Sequence, residues 1–210
     1  MADFAWPELY FVRHGETDWN REGRYQGSRD IPLNDTGRLQ ADRNGVLLKR
    51  LFDRAGRRPD EFDWYVSPLS RARETMARVR AAFADAPAPE PATDHRLIEI
   101  SFGIYEGRLH TELAAGAMPM AGERDPSFWY FRPPEGESYD DLAQRVLDFG
   151  RALPRRAVVV SHGGVLRVLR RLIEDFPPDR AVNWFPPQDS VVHFANGKAT
   201  VYPAGTEWDE

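Results

Sequence analysis

The sequence contains no cysteine, which excludes disulfides, thiolate metal sites and cysteine nucleophiles together. Lysine is nearly absent too: Lys49 and Lys198 are the only two, so the positive charge rests on arginine. A GC-rich coding bias explains that substitution as readily as function does, but arginine brings a planar fork suited to oxyanions. No run approaches the ~18 consecutive apolar residues of a membrane-spanning helix. The acidic start, Met1 to Pro7, lacks the basic region and apolar core of a secretory signal. A cytoplasmic protein that does not engage membranes is the expectation. No HExxH or comparable metal-ligand spacing occurs, so neither a metal nor another cofactor is expected. The net charge of -5 disfavours nucleic acid as a partner, because phosphate-backbone binding needs basic residues clustered on one face.

What is present is an ordinary globular composition, 41% hydrophobic and 29% charged, over 210 residues. That length suits one domain spanning residues 1–210. Leu9 to Val12 is a short apolar run that reads as a buried strand, followed at once by Arg13-His14-Gly15. Residues 16–34 read as a long loop. A helix is predicted from Asn34-Asp35 to about Phe52, a strand over Phe62 to Val66, and a helix over Leu69 to Ala84. Leu97 to Ile100 reads as a weak strand. A variable insertion is expected at about 104–136, where prolines and glycines surround Phe128-Trp129-Tyr130-Phe131. Those aromatics suit a cleft wall, core packing or a dimer contact. Ser138 can cap a helix running to about Leu153. Ala157 to Val160 is the strongest strand signal and leads into Ser161-His162-Gly163-Gly164 and a helix over Val165 to Glu174. The end reads as a hairpin turning at Asn196-Gly197. Strand and helix alternate, which predicts an α/β fold: a three-layer sandwich with a mostly parallel sheet and helices on both faces.

Three polar clusters each follow an apolar strand: Arg13-His14-Gly15, Ser67 to Arg71, and Ser161-His162-Gly163. Ligand sites of open α/β sheets lie at the carboxyl ends of the strands. If the three strands are neighbours, two histidines and two arginines converge on one crevice. Arginine forks match phosphate geometry, and Gly163 and Gly164 at a helix start would offer backbone N–H groups to the same anion. With cysteine absent, a histidine kept neutral by adjacent cations is a competent nucleophile toward phosphorus.

The segment Arg13-His14-Gly15-Glu16-Thr17 with Trp19-Asn20 resembles the histidine phosphatase superfamily, in its phosphoglycerate-mutase-like branch. The resemblance continues through Gly27, Leu33 and Gly37. It resumes at Ser67 to Thr75, at Glu99 with Phe102-Gly103 and Glu106-Gly107, at Gly136-Glu137-Ser138 and at Ser161 to Gly164. It implies that His14 is the nucleophile and forms a phosphohistidine. Arg13, Arg71 and His162 would line the phosphate pocket, and Asn20 would donate to the same group. Glu99 would be the general acid and later the base, with Glu106 close enough in sequence to be the rival. Gln26 and Gly27 either touch the phosphate or only shape the loop, and Gly163 adds its backbone N–H to the phosphate or substrate contacts. The acid-phosphatase branch usually follows its RHG with Arg and Pro and carries a late His-Asp pair. Here Glu16-Thr17 and His162-Gly163 stand in those places.

Hydrolysis of a small phosphorylated metabolite is the leading expectation. The alternatives are phosphoryl transfer of the cofactor-dependent phosphoglycerate mutase type and a non-catalytic phospho-ligand binding module. Hydrolysis is favoured because mutases of the family resemble Gly-Trp where this chain has Gly27-Ser28. The stretch from Glu99 to His162 is also shorter than theirs and lacks their Arg-Arg run. A monomer or a homodimer is expected. His95, His110 and His193 sit in no motif and are read as structural or exposed.

Overall fold

In a computed structural model, residues 4–86, 88–113 and 126–205 are described. Six short strands form one sheet in the order β3-β2-β4-β1-β5-β6. The strands are β1 (Leu9–Arg13), β2 (Asp63–Val66), β3 (Ala92–Thr93), β4 (Ala157–Ser161), β5 (Ser190–Ala195) and β6 (Lys198–Pro203). β1, β2, β3 and β4 run parallel, and the β5–β6 hairpin closes one side antiparallel. Asn196 and Gly197 turn that hairpin with positive φ at both positions, as the predicted Asn-Gly turn requires.

β1 and β4 are buried on both faces, which explains their near-continuous apolar character. Leu9, Phe11 and Val159 face one core with helices α5 (Tyr139–Ala152) and α6 (Gly163–Glu174). Tyr10, Val12, Val158 and Val160 face a second core with α2 (Asp35–Arg54) and α3 (Ser70–Ala81). The result is the expected three-layer α/β sandwich. Asn34 caps α2 through Gly37 N–H, and Ser138 with Asp141 forms a capping box at α5.

Two expectations need correction, and one element was not anticipated. The loop over 16–34 contains a short helix, α1 (Asp18–Glu22), started by Thr17 and Asn20, whose side chains cap each other's backbone. A further helix, α7 (Pro178–Asn183), follows α6, with proline in its first turn. Leu97 to Ile100 is not a strand. The Arg145 guanidinium takes the carbonyls of Arg96, Ile98 and Glu99, and the Ser161 hydroxyl takes that of Leu97. No ladder can form on carbonyls already engaged, so the sheet position beside β2 falls to Ala92–Thr93. Within the expected insertion, α4 (His110–Leu113) and a 3₁₀ turn at Pro126–Trp129 are described, while 114–125 lie outside the described residues.

Candidate active site

β4 lies between β2 and β1, so the three polar clusters leave the sheet side by side. The ladder runs slightly past the strands: His14 N–H donates to the Ser161 carbonyl and Ser67 N–H to that of Val160. This brings His14, His162, Arg13 and Arg71 to one crevice. Arg71 sits in the first turn of α3, where a cation opposes the helix dipole, and it is fully buried.

His14 is 2% exposed, and its Nδ1 lies 2.7 Å from the Gly15 carbonyl oxygen. A carbonyl can only accept, so Nδ1 carries the proton and Nε2 keeps its lone pair. Nε2 has no hydrogen-bond partner among the described residues. The His162 ring centroid is 5.1 Å away. Its Nε2 lies 2.7 Å from the Ser67 hydroxyl, while its Nδ1 is buried with no partner among the described residues. Burial first, then Arg71 and Arg13, holds the His14 imidazole well below its usual value of 6.5. His162 is lowered likewise by burial, then by Arg71, His14 and Arg13. Both rings are therefore neutral at neutral pH. Burial lowers Arg13 and Arg71 to about 10, with Glu99 opposing, so both guanidiniums stay charged.

The arginines are also anchored. Arg13 Nη1 donates to the Pro186 carbonyl (2.5 Å); Arg71 donates to the carbonyls of Arg29 (2.6 Å) and Gly27 (2.9 Å). The Nε of each is buried without a partner among the described residues. Gly27 presents its carbonyl from φ +55°, and a Cβ there would lie 2.0 Å from Glu106 Oε1. Gln26 is buried beside it, its amide oxygen unpartnered. Asn20 turns its oxygen to Thr17 and Gln188, which leaves its amide nitrogen as a free donor among the described residues.

Glu99 lies on the same cavity wall. Its oxygens accept from Ile100 N–H and from Gly164 N–H at the start of α6, at 2.9 to 3.1 Å. Gly164 is required there, since a Cβ would stand 2.3 Å from Glu99 Oε1. The expectation that Gly164 offers its N–H to the anion is thus corrected: Glu99 takes it. Gly163 keeps its N–H free of described partners. The other carboxylate, Glu106, does not line the cavity that Glu99 faces. Its carboxylate accepts from Ser28 N–H, Phe102 N–H and the Ser101 hydroxyl and pairs with Arg29 at 3.4 Å.

Arg13, His14, Asn20, Gln26, Gly27, Arg71, Glu99 and Gly163 line a cavity of about 140 Å³, with His162 packed behind His14. A larger open groove of about 1010 Å³ lies at the other end of β1, around Trp6, Glu8, Arg57 and His193, and contains none of the converging groups. Chemistry rather than size identifies the site. His110, expected to be structural or exposed, is exposed but lines the smaller cavity with its ring 4.3 Å from that of Tyr25. Arg167, Tyr139 and Phe185 also line it and were not anticipated; Arg167 stands four residues after Gly163, one helical turn on, and that spacing was the available signal. Of the aromatic run, Phe128 reaches the cavity, Trp129 packs on Tyr139 in the core and Tyr130 is exposed. His193 stacks on Tyr10 and bonds Glu8, far from the chemistry.

Buried arginines and neutral histidines gathered at the carboxyl ends of a parallel sheet define a phosphoryl-handling enzyme. Residues 9–201 match the histidine phosphatase superfamily (branch 1), and the chain belongs to that family. It is 35% identical over 179 residues to phosphoglycerate mutase-like protein 4 of Arabidopsis thaliana, covering 80% of this chain and 71% of that one. It is 34% identical to the glucosyl-3-phosphoglycerate phosphatase of Mycolicibacterium vanbaalenii, covering 84% and 76%. A solved structure of a mycobacterial glucosyl-3-phosphoglycerate phosphatase with VO3 superposes with a TM-score of 0.76 at 25% identity, covering 95% of this chain and 100% of that one. Among the described residues no helix is long and apolar enough to cross a membrane.

Proposed function

We propose that this chain hydrolyses phosphomonoesters of small metabolites through a phosphohistidine on His14, without a metal, in the cytoplasm. One observation carries the reading. His14 Nε2 is an available lone pair, and three buried nitrogens near it have no partner among the described residues: Arg13 Nε, Arg71 Nε and, taking the Ser67 hydroxyl as donor to its Nε2, the protonated Nδ1 of His162. Buried donors are rarely left unpaired, and a phosphoryl group satisfies all three. Two guanidiniums and an imidazole also supply the charge stabilisation that a metal provides in other phosphatases.

In the first step His14 Nε2 forms a bond to phosphorus as the ester P–O bond breaks. Glu99, in its acid form, gives its proton to the departing alkoxide. The pocket of Arg13, Arg71, Asn20 and Gly163 N–H holds the equatorial oxygens, with His162 beside His14 and with Gln26 and Gly27 shaping its rim. In the second step Glu99 takes a proton from water, the water oxygen attacks phosphorus, and the P–N bond breaks to release phosphate. His14 regains its lone pair.

Relatives named as metal-independent phosphoserine phosphatase and as fructose-2,6-bisphosphatase support hydrolysis. Others named as phosphoglycerate mutases keep a second reading in view, in which the phosphoryl group returns to another hydroxyl of the substrate. Phosphate release measured beside positional transfer separates the two. For the hydrolase reading, His14→Ala is expected to reduce turnover of an aryl phosphate to background; full activity in that variant would overturn it.

A further inference from the structure

Residues 184–188, Trp-Phe-Pro-Pro-Gln, pass along the cavity, which Phe185 and Pro186 help to line. Pro186 and Pro187 have no backbone N–H, so this strap meets its neighbours mainly through carbonyls. Trp184 offers its carbonyl to Arg167 Nε at 2.8 Å, Pro186 to Arg13 Nη1 at 2.5 Å, and Gln188 to Asn44 Nδ2 at 2.9 Å. Asn44 is fully buried in α2, and its neighbour Arg43 grips Asp189 with Nε at 3.0 and 3.1 Å. The strap is therefore fastened at both ends, and the Gln188 side chain leaves it at a fixed point. Its Nε2 lies 3.0 Å from Asn20 Oδ1 and, in a longer contact of 3.4 Å, reaches the His14 carbonyl oxygen.

A carboxamide can turn over with little change of shape, exchanging oxygen for nitrogen. For Asn20 the two orientations differ in what faces the phosphoryl group, a donor or a lone pair. Three donors meet its Oδ1: the Thr17 N–H at 3.2 Å, the Thr17 hydroxyl at 3.1 Å and Gln188 Nε2 at 3.0 Å. The hydroxyl can rotate to accept instead, so it enforces neither orientation. The Thr17 N–H is at the long end of the hydrogen-bond range, which leaves Gln188 as the shorter of the two fixed donors. Turning both amides together is no escape. It would set the Gln188 oxygen against the His14 carbonyl and the Asn20 nitrogen against the Thr17 N–H.

We propose that Gln188 is a positioning residue that holds the Asn20 carboxamide with its nitrogen toward the phosphoryl group. It acts through Asn20 and does not line the cavity itself. It also ties the order of the pocket to the far end of the chain, since it stands 168 residues beyond Asn20.

This inference rests on the phosphoryl pocket described above, and the test separates it from hydrolysis. Gln188→Met keeps the length of the side chain and removes its polar end. In the full chain, kcat/KM for an aryl phosphate is expected to fall by about three- to tenfold, the weight of one hydrogen bond. Asn20→Ala removes the group through which Gln188 acts. In that background Gln188→Met should cost less than about twofold. A residue that merely braces the strap would multiply its loss onto that of Asn20→Ala, and that result would overturn the proposal. Unchanged kcat/KM in Gln188→Met alone would overturn it as well. Calorimetric titration of inorganic phosphate into the same four proteins reads the cycle without turnover, and the same coupling is expected in the affinities. Coupled affinities with no turnover in any of the four would remove the hydrolase reading and leave Gln188 its role. Multiplied losses in proteins that do turn over would do the reverse.

Discussion

Acidifying from about pH 7.5 to about pH 5.5 should remove stability that belongs to two buried imidazoles. His14 and His162 are both held well below 6.5 by burial and by the adjacent guanidiniums, so the folded protein refuses protons that the unfolded chain accepts. A depressed histidine contributes its full stability above the unfolded value of 6.5, and that contribution is lost as pH falls below it. Each such group costs about 1.4 kcal/mol per pH unit once the unfolded ring is protonated. Over this interval the loss is about 1.4 kcal/mol for each ring and ~3 kcal/mol for the pair, provided both folded rings stay neutral. That is a large share of the roughly 5–15 kcal/mol that holds a domain together. Urea unfolding at the two pH values measures it. The double variant His14→Asn, His162→Asn should lose ~3 kcal/mol less than the parent chain across the same window, and each single variant about half of that. Parallel losses in all four proteins would refute the neutral-imidazole premise and with it the nucleophilic lone pair.

Two other perturbations probe the acid. Glu99→Gln should lower kcat by roughly 10²–10⁴ on alkyl phosphates and by much less on an aryl phosphate whose leaving group needs no proton; equal losses on both would rule out proton donation. Arg145→Met removes the donor to the carbonyls of Arg96, Ile98 and Glu99 and the Glu137 ion pair, and should cost ~2–4 kcal/mol in urea unfolding together with a fall in kcat. Lost stability with unchanged kcat would show that Arg145 does not position Glu99.

Much of the site was legible because strands stop where chemistry starts. His14, Ser67 and His162 each follow an apolar run, and the sheet order makes those runs neighbours. What was not legible depends on side chains acting on backbone at long range. Leu97 to Ile100 has the composition of a strand, but Leu97 closes a 3₁₀ turn (His95–Leu97) and the carbonyls around it are held by Arg145, which lies 46 to 49 residues away in sequence and carries no local signal. α1 escaped notice because Asn20 stands where a capping box usually shows Glu or Gln. His110 reaches the cavity only because Arg24 and Leu109 pair across a bridge and its N–H binds Gly23. Spacing does not separate Glu106 from Glu99, but their surroundings differ: Glu106 accepts from four loop donors and pairs with Arg29, while Glu99 lines the cavity. Arg167 was within reach, since one helical turn from Gly163 returns to the same face.

The claim on which the rest depends is that His14 Nε2 carries the phosphoryl group. Rapid quenching of the enzyme with a ³²P-labelled phosphomonoester, followed by peptide mapping, tests it most directly. An acid-labile, alkali-stable label on the His14 peptide, formed within one turnover and absent from His14→Ala, is the expected result. Label on any other residue, or complete turnover with no protein-bound phosphate at any quench time, would contradict it.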